Sequence, residues 1–306
     1  MPKRHARLYI GIDVGGTKIL ASLIEKDSWN ILASTQVKTN ASAGREAVLS
    51  NIEKAVRSLL IKNPVAAVGI GFAGLTNIQR GLVVKAPNFP KDFENLRLTD
   101  ILSKRLKKPV FLDNDVHCFA LAEAVKGVGK GKNSVFGITL GTGIGGALVI
   151  NGRLYRGRNN AAGEIGHTTI AMESDAGCGC GKRGHFESLA SGSSLKRLYF
   201  KQTKQNYSGE EIVGLASRGD KNAKKVIETV AQGLAVGLGN VAYTYNPDVI
   251  VIGGGLAKVT PLWKLAVKLA EKDLVFPELA PLPVRVSKLG HRANVIGAAI
   301  LAAQKR

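Results

Sequence analysis

Asp13-Val14-Gly15-Gly16-Thr17-Lys18 stands between two apolar runs, Leu8-Tyr9-Ile10-Gly11-Ile12 before it and Ile19-Leu20-Ala21-Ser22-Leu23-Ile24 after it. The runs read as strands, and the Gly-Gly pair between them permits a tight turn that brings backbone amides close to an anion. Thr17 adds a hydroxyl and Lys18 a positive charge. Asp13, at the end of the first strand, is placed to orient a hydrated metal ion or a nucleophile near phosphates. Far along the chain, Leu140-Gly141-Thr142-Gly143-Ile144-Gly145-Gly146 repeats the arrangement between Ser134-Val135-Phe136-Gly137-Ile138-Thr139 and Ala147-Leu148-Val149-Ile150. Neither turn has the order of a Walker A loop or of the dinucleotide fingerprint. One such turn is an ordinary hairpin; two suggest a phosphate clamp built once in each half of a two-lobed enzyme, which makes nucleotide-dependent phosphoryl transfer the first expectation.

Outward from the first turn, 31–38 reads as a third strand and 44–61 as a helix with one apolar face. A buried strand at 65–72 ends in the turn residues Ala73-Gly74, and a helix is expected over 98–106. The run Pro109-Val110-Phe111-Leu112 then delivers the chain to Asp113-Asn114-Asp115 at a strand end, with a helix at 116–125. A second strand group begins at Ser134, so residues 115–130 hold the boundary. A small N-terminal α/β domain is expected over 1–115, joined by a C-terminal helix at 293–306, with a larger α/β domain over 116–292. The larger domain contains a loop-rich section at 155–184 that carries the cysteine and histidine cluster. Helices are expected at 186–202, 208–218 and 221–245, where Gly233, Gly237 and Gly239 imply close packing or a bend. The strand at 248–252 leads into Gly253-Gly254-Gly255, at the carboxyl end where open α/β sheets bind ligands. Helices at 262–270 and 295–303 flank a last strand, Val284-Arg285-Val286-Ser287. This alternation specifies α/β sheets covered on both faces.

A chain of 306 residues, 45% hydrophobic, can build two cores. It contains no apolar run of about 18 residues, and Met1-Pro2-Lys3-Arg4-His5 leads into an amphipathic strand rather than a signal sequence, so a cytoplasmic location without membrane contact is expected. Three cysteines do not make a disulfide framework. Lys and Arg total 43 against 23 Asp and Glu, a formal charge of +20 that favours anionic ligands. The basic residues are scattered without interleaved aromatics, so no specific nucleic-acid partner is expected. A polyanionic phosphoryl donor such as polyphosphate stays open beside ATP.

Asp115 is the expected general base, because a kinase acting on an alcohol needs a carboxylate beside the acceptor hydroxyl. Asn114 can hold the same acceptor, although an Asn-Asp pair at a strand end also reads as a helix cap. His167, Cys178, Cys180 and His185 supply four ligands for tetrahedral Zn²⁺ of a structural kind, since four protein ligands leave no open coordination position. Cys118, on an apolar helix face, reads as a small buried hydrophobe.

Together these residues resemble the ROK family, the repressor, open reading frame and kinase group of sugar kinases. The resemblance rests on Asp13 to Lys18, the Gly-x-Gly-x-x-Gly-like stretch at 69–74, Ala86-Pro87-Asn88, Asn114-Asp115, the second glycine turn, Gly163-Glu164-Ile165-Gly166-His167 and the block at 178–187. It implies a two-domain actin-like ATPase fold, ribonuclease H-like, with a cleft between the domains. It also implies an ATP-dependent hexose kinase, glucokinase or broad-specificity hexokinase, acting on the sugar 6-hydroxyl with Asp115 as base. Asn88, Asn114, Asp115, Glu164, His167 and Glu187 would bind the sugar. Asp13, Gly15, Gly16, Thr17, Lys18, Gly141, Thr142 and Gly143 would surround the phosphates and Mg²⁺, and Gly254 and Gly255 the adenosine. His167 would serve both sugar and zinc. Homodimers or homotetramers are implied as well. Two departures stand out: His185 replaces a third cysteine, and Ala73 occupies a frequent proline position with no acid in Leu75-Thr76-Asn77. Glucose, mannose, fructose and N-acetylated amino sugars all remain acceptors. The family also includes sugar-responsive regulators, for which no DNA-binding segment stands ahead of the first strand, and an inactive sugar-binding protein is a further alternative.

Overall fold

The computed structural model describes residues 7–60 and 64–305. The run Met1 to His5, Ile61 at the end of the first expected helix and Arg306 at the end of the last lie outside the described residues. Two compact units are present, the first comprising Met1–Lys130, Arg158–Asn160 and His291–Arg306, the second Gly131–Gly157 and Ala161–Gly290. Among the described residues no helix is long and apolar enough to cross a membrane.

In chain order the first unit contains β1 (Leu8–Val14), β2 (Lys18–Glu25), β3 (Ile31–Lys38), α1 (Arg45–Leu60), β4 (Val65–Phe72), β5 (Leu75–Asn77), β6 (Leu82–Lys85), α2 (Leu98–Leu106), β7 (Val110–Asn114) and α3 (Asp115–Val125). Its main sheet has the order β3-β2-β1-β4-β7. β2 runs antiparallel to β1 and β3, whereas β4 runs parallel to β1 and β7. β1 and β4 are buried along most of their length, as continuous apolar runs in a sheet covered on both faces must be.

The second unit contains β8 (Ser134–Leu140), β9 (Ile144–Ile150), β10 (Arg153–Tyr155), α4 (Phe186–Ala190), α5 (Gly192–Thr203), α6 (Gly209–Ser217), α7 (Lys221–Tyr245), β11 (Val249–Gly253), α8 (Thr260–Lys272) and β12 (Val284–Val286). Its sheet order, β10-β9-β8-β11-β12, repeats that of the first, and again a hairpin meander is followed by two parallel strands. The two glycine turns therefore occupy the same topological position, between the first and second strand of each sheet.

The last helix, α9 (Ala293–Gln304), belongs to the first unit and lies against β1, β4 and α3. Its close approach depends on side-chain-free positions. Gly11 and Gly69 face each other in the β1–β4 register, and a Cβ on either would fall 1.8 Å from a helix carbonyl, of Val295 and Ala298 respectively. Cys118 is fully buried beneath α9, as its sequence environment predicts.

The structure divides the helix expected over 186–202. Ser191 leaves the helical conformation and caps α5, its hydroxyl accepting from Ser194 N while Ser194 returns a bond to the Ser191 amide. α3 starts at Asp115 itself because Asn114 is the cap. β5, β6 and β10, of three or four residues each, are too short to show a periodicity in sequence.

Candidate active site

In the first unit, β1 and β2 meet at Gly15 to Lys18, closed by Gly15 N donating to Lys18 O at 3.1 Å. Neither Gly15 nor Gly16 adopts a left-handed φ. Gly16 is instead small because Asn88 lies over it: a Cβ there would fall 2.8 Å from the Asn88 Cβ. The carbonyls of the turn are held by Thr39, a buried residue absent from the sequence reading. Its hydroxyl donates to Gly15 O at 2.6 Å and its amide to Thr17 O at 3.0 Å. Asn88 also lines a cavity of about 380 Å³ with Ala41, Ser42, Gly44, Phe89 and Pro90.

Asp13 is the penultimate residue of β1, beside this turn. Burial raises its pKa above the usual carboxylate value, opposed by a hydrogen bond from Asn294 and by the charge of Lys18. Asp115 opens α3. Desolvation, followed by the negative charge of Asp13, pushes its carboxyl up to about 7, against the pull of the Val116 amide. Asn114 makes the α3 cap, its Oδ1 accepting from Val116 N at 2.8 Å while its Nδ2 donates to Gly74 O at 3.0 Å. Each of those side-chain groups still has a second lone pair or proton for a ligand. Beneath them lies a buried pair that the sequence reading passed over: His117 Nδ1 and Asp113 Oδ1 form a hydrogen bond of 2.6 Å, and the same oxygen accepts from Asn114 N at 2.8 Å. The i, i+4 spacing of these two was legible, but nothing in it distinguished them from solvated polar residues.

In the second unit, Gly192 N donates to Gly141 O at 2.8 Å and Ser193 N to Thr142 O at 3.2 Å, so the first amides of α5 hold the carbonyls of the second turn. Glu187 stands against the same turn. Its Oε2 accepts from Ile144 N at 3.0 Å, and a Cβ on Gly143 would fall 2.2 Å from that oxygen. Gly254 has φ +86°, and a Cβ there would fall 2.4 Å from Leu140 O, which sets Gly254 against the end of β8, whereas a Cβ on Gly255 would meet nothing within 4 Å. Glu164 is exposed, next to the short 3₁₀ turn Ile165–His167.

His167, Cys178, Cys180 and His185 gather with one ligand atom of each within 4.8 Å of the others. Cys178 Sγ lies 3.5 Å from His167 Nδ1, and Cys180 Sγ 3.3 Å from His185 Nδ1. Zinc–sulfur and zinc–nitrogen bonds of about 2.3 and 2.0 Å place tetrahedral ligands at about these separations, so the residues fit the ion. Burial pushes the Cys178 thiol up to about 11, so its thiolate needs a cation beside it at neutral pH. The loop is shaped by bridges pairing Thr169 with His185 and Gly177 with Arg183.

The ROK family model matches residues 9–305. The chain belongs to the ROK family. A glucokinase of Halalkalibacterium halodurans is 31% identical over 98% of this chain and 96% of that one. The ROK hexokinase from Thermus thermophilus superposes with a TM-score of 0.87 at 31% identity, covering 97% of this chain and 98% of the other. A ROK family glucokinase from Streptomyces griseus, solved with glucose and AMPPNP, gives a TM-score of 0.80 at 32% identity over 97% and 99% of the two chains. The fold is accordingly the two-domain actin-like ATPase fold of ROK sugar kinases.

Proposed function

We propose that the protein is an ATP-dependent hexose kinase that transfers the γ-phosphoryl group to the sugar 6-hydroxyl, with glucose as the favoured acceptor. The observation that carries this reading is Asp115, a carboxyl poised near neutrality at a strand–helix junction beside a second carboxylate, Asp13. The glucokinase relatives support the choice of acceptor.

Asp115 takes the proton of the 6-hydroxyl as the oxygen attacks phosphorus. Asn88, Asn114, Glu164, His167 and Glu187 read the remaining hydroxyls. Thr17 and Lys18 donate to phosphate oxygens together with the amide of Gly16, Gly15 closing the turn beside them, while Asp13 would hold the cation's hydration water. Thr142 and Gly143 supply further amides in the turn that Gly141 N closes on Gly143 O, and Gly254 and Gly255 admit the adenosine close to the backbone. Bound Mg²⁺ would neutralise charge on the phosphates. His167, Cys178, Cys180 and His185 would hold a structural Zn²⁺, which orders the loop that carries His167. The enzyme acts in the cytoplasm as a homodimer or homotetramer.

The test is ADP production from Mg-ATP across glucose, mannose, fructose and N-acetylglucosamine, repeated with polyphosphate as donor. Glucose-dependent ADP release that disappears in Asp115→Ala is expected. Sugar binding without acceptor-dependent ADP release would identify an inactive binding protein instead.

A further inference from the structure

Asp13 carries a contact that its role as a cation-side carboxylate does not require. Asn294, half-buried in the first turn of α9, donates from Nδ2 to Asp13 Oδ1 at 3.2 Å across 281 residues of sequence. α9 is closely packed on both sides. The Val295 carbonyl rests on Gly11, two residues before Asp13 on the same strand, and Ala298 rests on Gly69 of the neighbouring strand. From the opposite side Gly297 meets the Cys118 carbonyl of α3, where a Cβ would fall 1.7 Å from the oxygen. Residues i and i+2 of a strand share a face, so Val295 over Gly11 sets Asn294 beside Asp13.

We propose that Asn294 is a positioning residue, which fixes the rotamer of Asp13 so that its carboxylate presents a constant face to the cation–nucleotide complex. A carboxylate at a strand end otherwise chooses among rotamers, and here Lys18 and Asp115 pull it in opposite senses. The donor is neutral, and this matters chemically. An amide orients the carboxylate without cancelling the negative charge that a divalent cation needs, whereas a lysine or arginine would compete with the cation. The inference rests on the kinase reading above, since only a cation–nucleotide ligand gives Asp13 this task.

The test uses Asn294→Leu, which keeps the side-chain size, and Asn294→Ala, which suits a helix. Binding of Mn²⁺ with a non-hydrolysable ATP analogue is read by electron paramagnetic resonance, the Mg²⁺ dependence of turnover by assay, and sugar binding by calorimetry. Loss of an orienting partner should weaken cation binding about tenfold or more, with sugar affinity unchanged. In an Asp13→Ala background, Asn294→Leu should add nothing. Unchanged cation binding in both variants, or the same loss with and without Asp13, overturns the inference. A wild-type protein that makes no ADP from Mg-ATP and any hexose overturns the kinase reading instead.

Discussion

Asp115 pays for its position with a desolvated carboxyl, and that has consequences for stability as well as for rate. Its folded pKa of about 7 lies above the ordinary 3.8, so the native state retains a proton that the unfolded chain gives up. Stability from this source is present below about pH 4 and is lost as pH rises to about 7. Asp115→Asn removes the charge that must be desolvated, so urea unfolding should show the variant more stable than its parent by a few kcal/mol (order of magnitude) above about pH 7 and equal to it below about pH 4. Turnover should fall by about 10²- to 10⁴-fold in the same variant. In the parent enzyme kcat/KM should rise with pH to a plateau above about 7, because the base acts ionised. A variant that is less stable than its parent at every pH would show that Asp115 is not desolvated in the native protein.

The elements most legible in sequence are those whose own residues decide them. α7 spans the expected 221–245, because its apolar positions recur over many turns. The helix expected at 186–202 is broken by a capping serine, a local hydrogen-bond exchange that hydrophobic spacing does not register. Thr39 and Asn294 were invisible for a different reason: their partners, Gly15 and Asp13, are brought to them by the fold. Gly11 and Gly69 likewise read as strand glycines until α9 is seen resting on both. Gly11→Ala should displace α9 and cost roughly 1–3 kcal/mol or more, as overpacking does, and denaturant titration measures it. Of residues 168–184 only Cys178 and Gly184 are buried, so order in that loop would come from an ion held by its ligands rather than from a core. Elemental analysis should find one zinc per chain. Cys178→Ser with Cys180→Ser, or a chelator, should speed amide exchange in that loop and weaken sugar binding while the melting of the rest changes little. Absence of stoichiometric metal from the unmodified protein would remove zinc from this account.

At the scale of the whole molecule, the repeated sheet order explains why two unrelated-looking glycine turns could be read together from sequence, since each joins the first two strands of its own sheet. The charge is a molecular property of another kind. Sixty-six charged side chains, 43 basic and 23 acidic, leave +20, and the described ion pairs are mostly exposed. A field of that sign raises the local concentration of anions and speeds their encounter, but does nothing for a neutral hexose. The two substrates therefore serve as controls for each other. Raising salt from about 0.05 M to about 0.5 M shortens the screening length several-fold. KM for Mg-ATP should accordingly rise several-fold, most strongly at low salt, while KM for the sugar stays nearly constant. Polyphosphate, if it serves as a donor, should show a steeper dependence than ATP because it carries more charge. An equal response of both KM values would mean that salt acts on the fold or on domain motion rather than on capture of the anionic substrate. The basic surface would then have no part in nucleotide binding.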